Sequence, residues 1–172
     1  MRSNDLGFAR QEGGSTPPLY TPEQRRRRDD TPWTLVQGIL APVQFLIFLV
    51  SLVLVLRFLA TGEDAAAATA SVVVKTVALY LIMITGSIWE KAVFGKYLFV
   101  PAFFWEDVFS MLVLALHTAY LVALIGGYGT PQQQMLIALA AYATYAINAT
   151  QFLLKLRAAR LQASSPRMAV AG

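Results

Sequence analysis

The chain has 172 residues, 56% hydrophobic and 14% charged, with a mean hydropathy of +0.53. A soluble domain of this size carries about a quarter charged residues, so the composition excludes an ordinary water-soluble globule and describes a membrane protein. Cysteine is absent, which rules out disulfides, thiolate metal sites and cysteine nucleophiles, and the net charge of +4 is informative through its placement.

Residues 1–31 are rich in Gly, Pro, Arg, Gln and acids. Such a segment buries too little apolar surface to pack, so a disordered basic cytoplasmic extension is expected. It contains no apolar stretch of the signal-peptide type, so insertion is expected to use the segments that follow. Arg25–Arg28 directly precedes an apolar segment and reads as an anchor to anionic lipid rather than a nucleic-acid patch. Thr31-Pro32 then reads as a helix start, an N-cap followed by proline at the first helical position.

A transmembrane domain is predicted over 32–158, with spans at about 33–60, 69–89, 102–125 and 134–156. Each has 20 residues or more, enough to cross ~30 Å of hydrocarbon at ~1.5 Å per residue. Pro42 should kink the first span. Residues 61–64 and 126–131 read as turns, and 159–172 as a disordered cytoplasmic tail.

The basic residues set the orientation. Of 14 Lys and Arg, six lie before residue 31 (Arg2, Arg10 and Arg25–Arg28) and two in the middle connection (Lys91 and Lys96). Four more follow the fourth span's core (Lys155, Arg157, Arg160, Arg167), while Arg57 and Lys75 lie toward the opposite side and are expected to snorkel outward. The expected fold is therefore all-α and integral to the membrane: an antiparallel bundle of four transmembrane helices with both termini cytoplasmic.

Polar residues recur at helical spacing in every span. The first carries Gln37, Gln44 and Ser51, and the second Thr76, Tyr80, Ser87 and Glu90. The third carries Glu106, Ser110, His117 and Tyr120, with Asp107 on the adjoining flank. The fourth carries Thr144, Asn148, Gln151 and Lys155. With lipid outside, these stripes should face one bundle axis. Most lie in the cytoplasmic half, which points to a polar cavity open toward that leaflet. The stretch 86–107, GSIWEKAVFGKYLFVPAFFWED, concentrates Glu90, Lys91, Lys96, Glu106 and Asp107 at the membrane boundary, where charge is costly unless solvated, paired or used. Interfacial pairing is one account of Glu90 and Asp107; a site is the other. His117, the single histidine, is either a hydrogen-bonded packing residue or a ligand to a metal-bearing molecule. One histidine excludes a bis-histidine haem within one chain, and no phosphate loop, HExxH, CxxCH or nucleophile elbow is present.

The blocks TPWTLVQGILAPVQFLIFLVSL, VVKTVALYLIMITGSIWEKAVFGKYLF, PAFFWEDVFSMLVLALHTAYL and YATYAINATQFLLKLRAARL resemble one family along nearly the whole chain, from about Tyr20 to Leu161. It is the 3-vinyl (bacterio)chlorophyllide hydratases of bacteriochlorophyll synthesis, also called 2-vinyl bacteriochlorophyllide hydratases. The resemblance implies a cofactor-free lyase of the bacterial cytoplasmic (inner or intracytoplasmic) membrane. Its partners would be chlorophyllide or bacteriochlorophyllide as substrate, the lipid bilayer and other pigment-biosynthesis enzymes, with no nucleic acid. It would add water to the 3-vinyl group to give a 1-hydroxyethyl group. Because the hydroxyl ends on the carbon next to the ring, protonation of the terminal vinyl carbon should precede attack of water. That chemistry calls for an acid, an anion near the cation, and a group to orient water. Glu90 and Glu106 are the candidates for acid and base, facing each other from neighbouring helices, and Asp107 for the anion. Candidate substrate-binding residues are Ser87, Ser110 and Asn148, which would place water, with Gln44 and Trp105. No metal of the protein's own is implied; magnesium belongs to the substrate, and His117 is a candidate ligand to it. The alternative reading is a non-catalytic membrane protein that binds or assembles pigment.

Overall fold

The computed structural model describes residues 19–164. It is all-helical in these residues: α1 (Pro22–Asp30), α2 (Pro32–Thr61), α3 (Ala65–Phe94), α4 (Phe104–Ile125) and α5 (Pro131–Ser164). Four of these, α2 to α5, are long and apolar enough to cross a membrane. Large apolar side chains such as Leu35, Leu46, Val53, Leu81, Ile84, Leu112 and Leu153 are exposed along them. That arrangement is unfavourable in water and suits a lipid surround.

Two helix starts, those of α1 and α5, repeat one chemistry. Thr21 accepts from the Gln24 N–H (3.2 Å) while Gln24 Oε1 accepts from the Thr21 N–H (2.9 Å), with Pro22 next in line. Thr130 and Gln133 do the same ahead of α5, with Pro131 next in line. Proline also fixes the break between α1 and α2, because a residue before proline avoids the helical region; Thr31 is extended (φ −83°, ψ 133°). Gly62 (φ 76°) and Gly95 (φ 83°) end α2 and α3 in the left-handed conformation that glycine adopts without steric cost.

The helices run beyond their apolar windows, since helical hydrogen bonding does not stop at the membrane boundary. Thus α3 extends from 65 to 94 and α5 from 131 to 164, and the middle connection is 95–103 rather than 90–101. The extension expected to be disordered over 1–31 contains α1, and the tail expected from 159 is helical to Ser164. Residues 1–18 and 165–172 of those two segments lie outside the described residues. The helix α2 passes through Pro42 without a break, with Pro42 on an exposed face.

Hydrogen bonds fix which helices adjoin. Trp89 Nε1 donates to Thr34 Oγ1 (2.9 Å), Gln37 Nε2 to Thr85 Oγ1 (2.7 Å), and Ser51 and Ser71 share a bond of 2.7 Å, all between α2 and α3. Tyr80 and Thr118 join α3 to α4 (2.7 Å), and Ser51 and Tyr142 join α2 to α5 (2.5 Å). Phe48, Val55, Phe58, Val72, Tyr120, Met135 and Tyr142 form one apolar core. A second, around Tyr20, Val93, Val100 and Phe103, closes the end where α1 and the 95–103 connection meet.

Candidate active site

Glu90 stands one turn before the end of α3, and Glu106 and Asp107 stand in the first turn of α4. The 95–103 connection folds these two ends together, and all three carboxylates are buried, at 3–6% exposure. Carboxylates in the first turn of α4 face its positive end, which favours them there. The partner of Glu90, however, is Asp107 and not Glu106. The Glu90 and Asp107 carboxyls lie within hydrogen-bonding reach of each other. Two carboxyl groups at that separation repel unless a proton lies between them. Asp107 Oδ2 also accepts from the Phe99 N–H (2.6 Å), and Glu90 Oε2 is buried without a partner. Phe99 sits at φ 58°, a left-handed conformation that bulky residues rarely adopt. That backbone turn aims its N–H at the carboxyl.

Glu106 takes a different partner. Its Oε2 accepts from Lys155 Nζ on α5 at 2.6 Å, and the same ammonium donates to Ala102 O at 2.5 Å and lies 5.1 Å from the Phe103 ring centre. The sequence placed Lys155 on the inward stripe of the fourth span, seven residues beyond Asn148, yet gave it no role. One turn deeper on α4, Ser110 Oγ accepts from Asn148 Nδ2 (2.8 Å), and Asn148 Oδ1 is left buried and unpartnered. The helices α3, α4 and α5 thus assemble an acid pair, an ion pair and an amide–hydroxyl pair. Where the sequence led to the expectation of an open polar cavity, these side chains are instead packed against one another.

His117 lies ten residues beyond Asp107 on α4, ~15 Å along the axis. It is fully buried, and its Nδ1 is 2.8 Å from the Val113 carbonyl. A carbonyl only accepts, so Nδ1 donates; in the neutral ring Nε2 is then a lone pair, and it is buried without a partner. Lys75 departs from expectation. It does not snorkel; it is fully buried, and its Nζ sits 3.9 Å from the Tyr145 ring centre without a hydrogen-bond partner.

The remaining candidates are more scattered. Gln44 is buried on α2 with an unpartnered amide nitrogen. Ser87 is half-buried and donates to its own helix at Ile84 O (2.9 Å). Trp105 is 66% exposed and packs edge-on against Phe104, although it precedes Glu106 in sequence. A groove of about 550 Å³ runs along α4, lined by Met111, Leu114, Ala115, Thr118 and Val122 among others, and includes none of the candidate residues. Among the described residues, no group of three or more His, Asp or Glu is placed to hold a metal ion.

The model of the 2-vinyl bacteriochlorophyllide hydratase family matches residues 20–158. The chain is 71% identical over 147 residues to the 2-vinyl bacteriochlorophyllide hydratase of Rhodobacter capsulatus, covering 86% of this chain and 85% of that one. It is also 71% identical over 145 residues to the protein of the same name from Cereibacter sphaeroides, covering 83% and 89%. No solved structure matches.

Proposed function

Since this chain belongs to the 2-vinyl bacteriochlorophyllide hydratase family, we propose that it adds water to the vinyl group of a chlorophyllide or bacteriochlorophyllide, with Glu90 and Asp107 handling the proton. The observation that carries this reading is the pair itself. Two carboxyls from different helices meet within hydrogen-bonding reach, buried at the end of the bundle, where they repel unless they share a proton, and Glu90 Oε2 has no partner.

Glu90 delivers that proton to the terminal vinyl carbon, and the π-bond electrons form the new C–H bond. The resulting cation sits on the carbon next to the ring and is delocalised into the macrocycle. Glu106, fixed as a carboxylate against Lys155, supplies negative charge beside it. Water held at Asn148 Oδ1 and Ser110 attacks the cation. The proton released from that water returns to the Glu90–Asp107 pair, which is thereby reset. The products balance as vinyl plus water giving 1-hydroxyethyl. The chemistry is acid–base throughout, so no cofactor is invoked.

The bundle is read as antiparallel with both termini cytoplasmic, in a bacterial cytoplasmic or intracytoplasmic membrane. Two facts support this. Bonded pairs 34/89, 37/85 and 51/71 between α2 and α3 descend on one helix as they rise on the other. With Lys75 buried, the basic residues outside the interior fall on the proposed cytoplasmic side except for Arg57.

The test is hydration of a 3-vinyl pigment by purified protein in deuterated water. The account expects a product heavier by one water, with one deuterium on the new methyl group. Unchanged pigment, or a hydroxyl on the terminal carbon, overturns it.

A further inference from the structure

The 95–103 connection reaches both members of the acid pair through its backbone. The Phe99 N–H donates to Asp107 Oδ2 at 2.6 Å, and the Val100 N–H lies within hydrogen-bonding reach of the Glu90 carboxyl. Consecutive N–H groups point to opposite sides of an extended chain, whereas a left-handed residue between them swings both to one side and makes an anion-binding concavity. Phe99, at φ 58°, is that residue. Glycine takes such a conformation freely and a bulky side chain does not. The Phe99 ring does not enforce it, since it is 44% exposed and lies against Phe104 with 6.0 Å between ring centres. The neighbours hold the turn: Val100 and Phe103 are buried in the core around Tyr20, and Asp107 takes the N–H. Backbone held in a disfavoured region concentrates at functional sites.

We propose that Phe99 is a positioning residue of the acid pair, whose left-handed backbone turns the Phe99 and Val100 amides into a two-donor cradle for the negative charge that develops as Glu90 loses its proton. This rests on the hydratase reading for the reaction. A pair that shares one proton carries one negative charge, and protonation of the vinyl carbon by Glu90 leaves it with two, close together and away from water. Glu106 stands beside Asp107 as a further acid, and the cation in range, Lys155, is paired with Glu106. Two donors already aimed, one at each carboxyl, offset the new charge without reorganisation. Position 99 therefore requires a backbone conformation and not a ring.

The experiment compares full-length purified Phe99→Gly, Phe99→Asn, Phe99→Ala and Phe99→Val with wild type in single-turnover hydration of a 3-vinyl bacteriochlorophyllide. Pigment affinity and the infrared band of the protonated carboxyl, identified by its loss in Glu90→Gln, are recorded on the same samples. All four variants lose the ring and differ in how readily they adopt positive φ. Phe99→Val should be slower by on the order of 10²-fold, the low end for losing an oxyanion donor, with pigment affinity kept and the carboxyl band moved. Phe99→Gly and Phe99→Asn should restore most of the rate and the wild-type band, with Phe99→Ala between. Phe99→Gly as slow as Phe99→Val, or Phe99→Val with the wild-type rate and band, overturns the proposal. Where Phe99→Val fails to fold, Phe99→Ala must still be slower than Phe99→Gly, and equal rates overturn it. A wild type that leaves the pigment unhydrated while the band follows the same order keeps the cradle and removes the hydratase mechanism.

Discussion

At His117 a single hydrogen bond decides what the residue can do. Its Nδ1 is committed to Val113 O, so in the neutral ring the free nitrogen is a lone pair. Sequence spacing left packing and ligation both open, because spacing does not report a tautomer. His117→Ala should weaken binding of the magnesium pigment at least ~10-fold while barely changing binding of its metal-free analogue, measured by absorbance titration. Equal losses would return His117 to a packing role. The acids were legible as a cluster, from five charges crowded into 86–107. Their pairing was not. Glu106 and Asp107 are adjacent and differ by about 100° around a helix, so which one faces α3 and which faces α5 depends on how α4 is rotated. Packing sets that rotation. Lys75 was misplaced for a related reason: basic residues near a span's end ordinarily snorkel, but its row 68, 72, 75 and 79 is the buried face of α3.

At the scale of elements, the four long helices were readable from apolar length and the start of α2 from Thr31-Pro32, whereas α1 was not. Its sequence PEQRRRRDD has no apolar face, so periodicity gave no signal, and only the Thr21–Gln24 capping pattern marks it. Short helices are marginal alone. Local ion pairs such as Arg27–Glu23 (2.6 Å) add little at an exposed site, so the anchor must be tertiary. That anchor is Tyr20, which stacks on Phe94 (5.8 Å between ring centres) and receives the Arg28 guanidinium over its ring at 5.0 Å. Burial raises the Tyr20 phenol above its ordinary range, against the lowering influence of Arg28, so it enters this contact neutral at physiological pH. Tyr20→Ala should release α1 and speed tryptic cleavage within Arg25–Arg28 by ~10-fold or more, with pigment hydration largely kept. Cleavage at the wild-type rate would mean that α1 is held by something else.

For the whole molecule, composition and apolar length made the membrane class and the four membrane-competent helices visible before any contact was known. The interior was less visible, because polar stripes state that faces meet without stating which atoms do. The structure groups those atoms by depth. An acid pair and an ion pair lie at one end, with an amide–hydroxyl pair one turn in, and a histidine and an unpaired lysine lie at mid-depth. The hydratase account sets its chemistry at the acid end of that ordering, and its central claim is that the acid pair starts the reaction. The direct measurement is single-turnover hydration of a 3-vinyl bacteriochlorophyllide by purified Glu90→Gln, with pigment binding recorded on the same sample. The account predicts a rate lower by on the order of 10²-fold or more, the range for loss of a general acid, with pigment binding intact. Hydration at a near-normal rate by Glu90→Gln would contradict it.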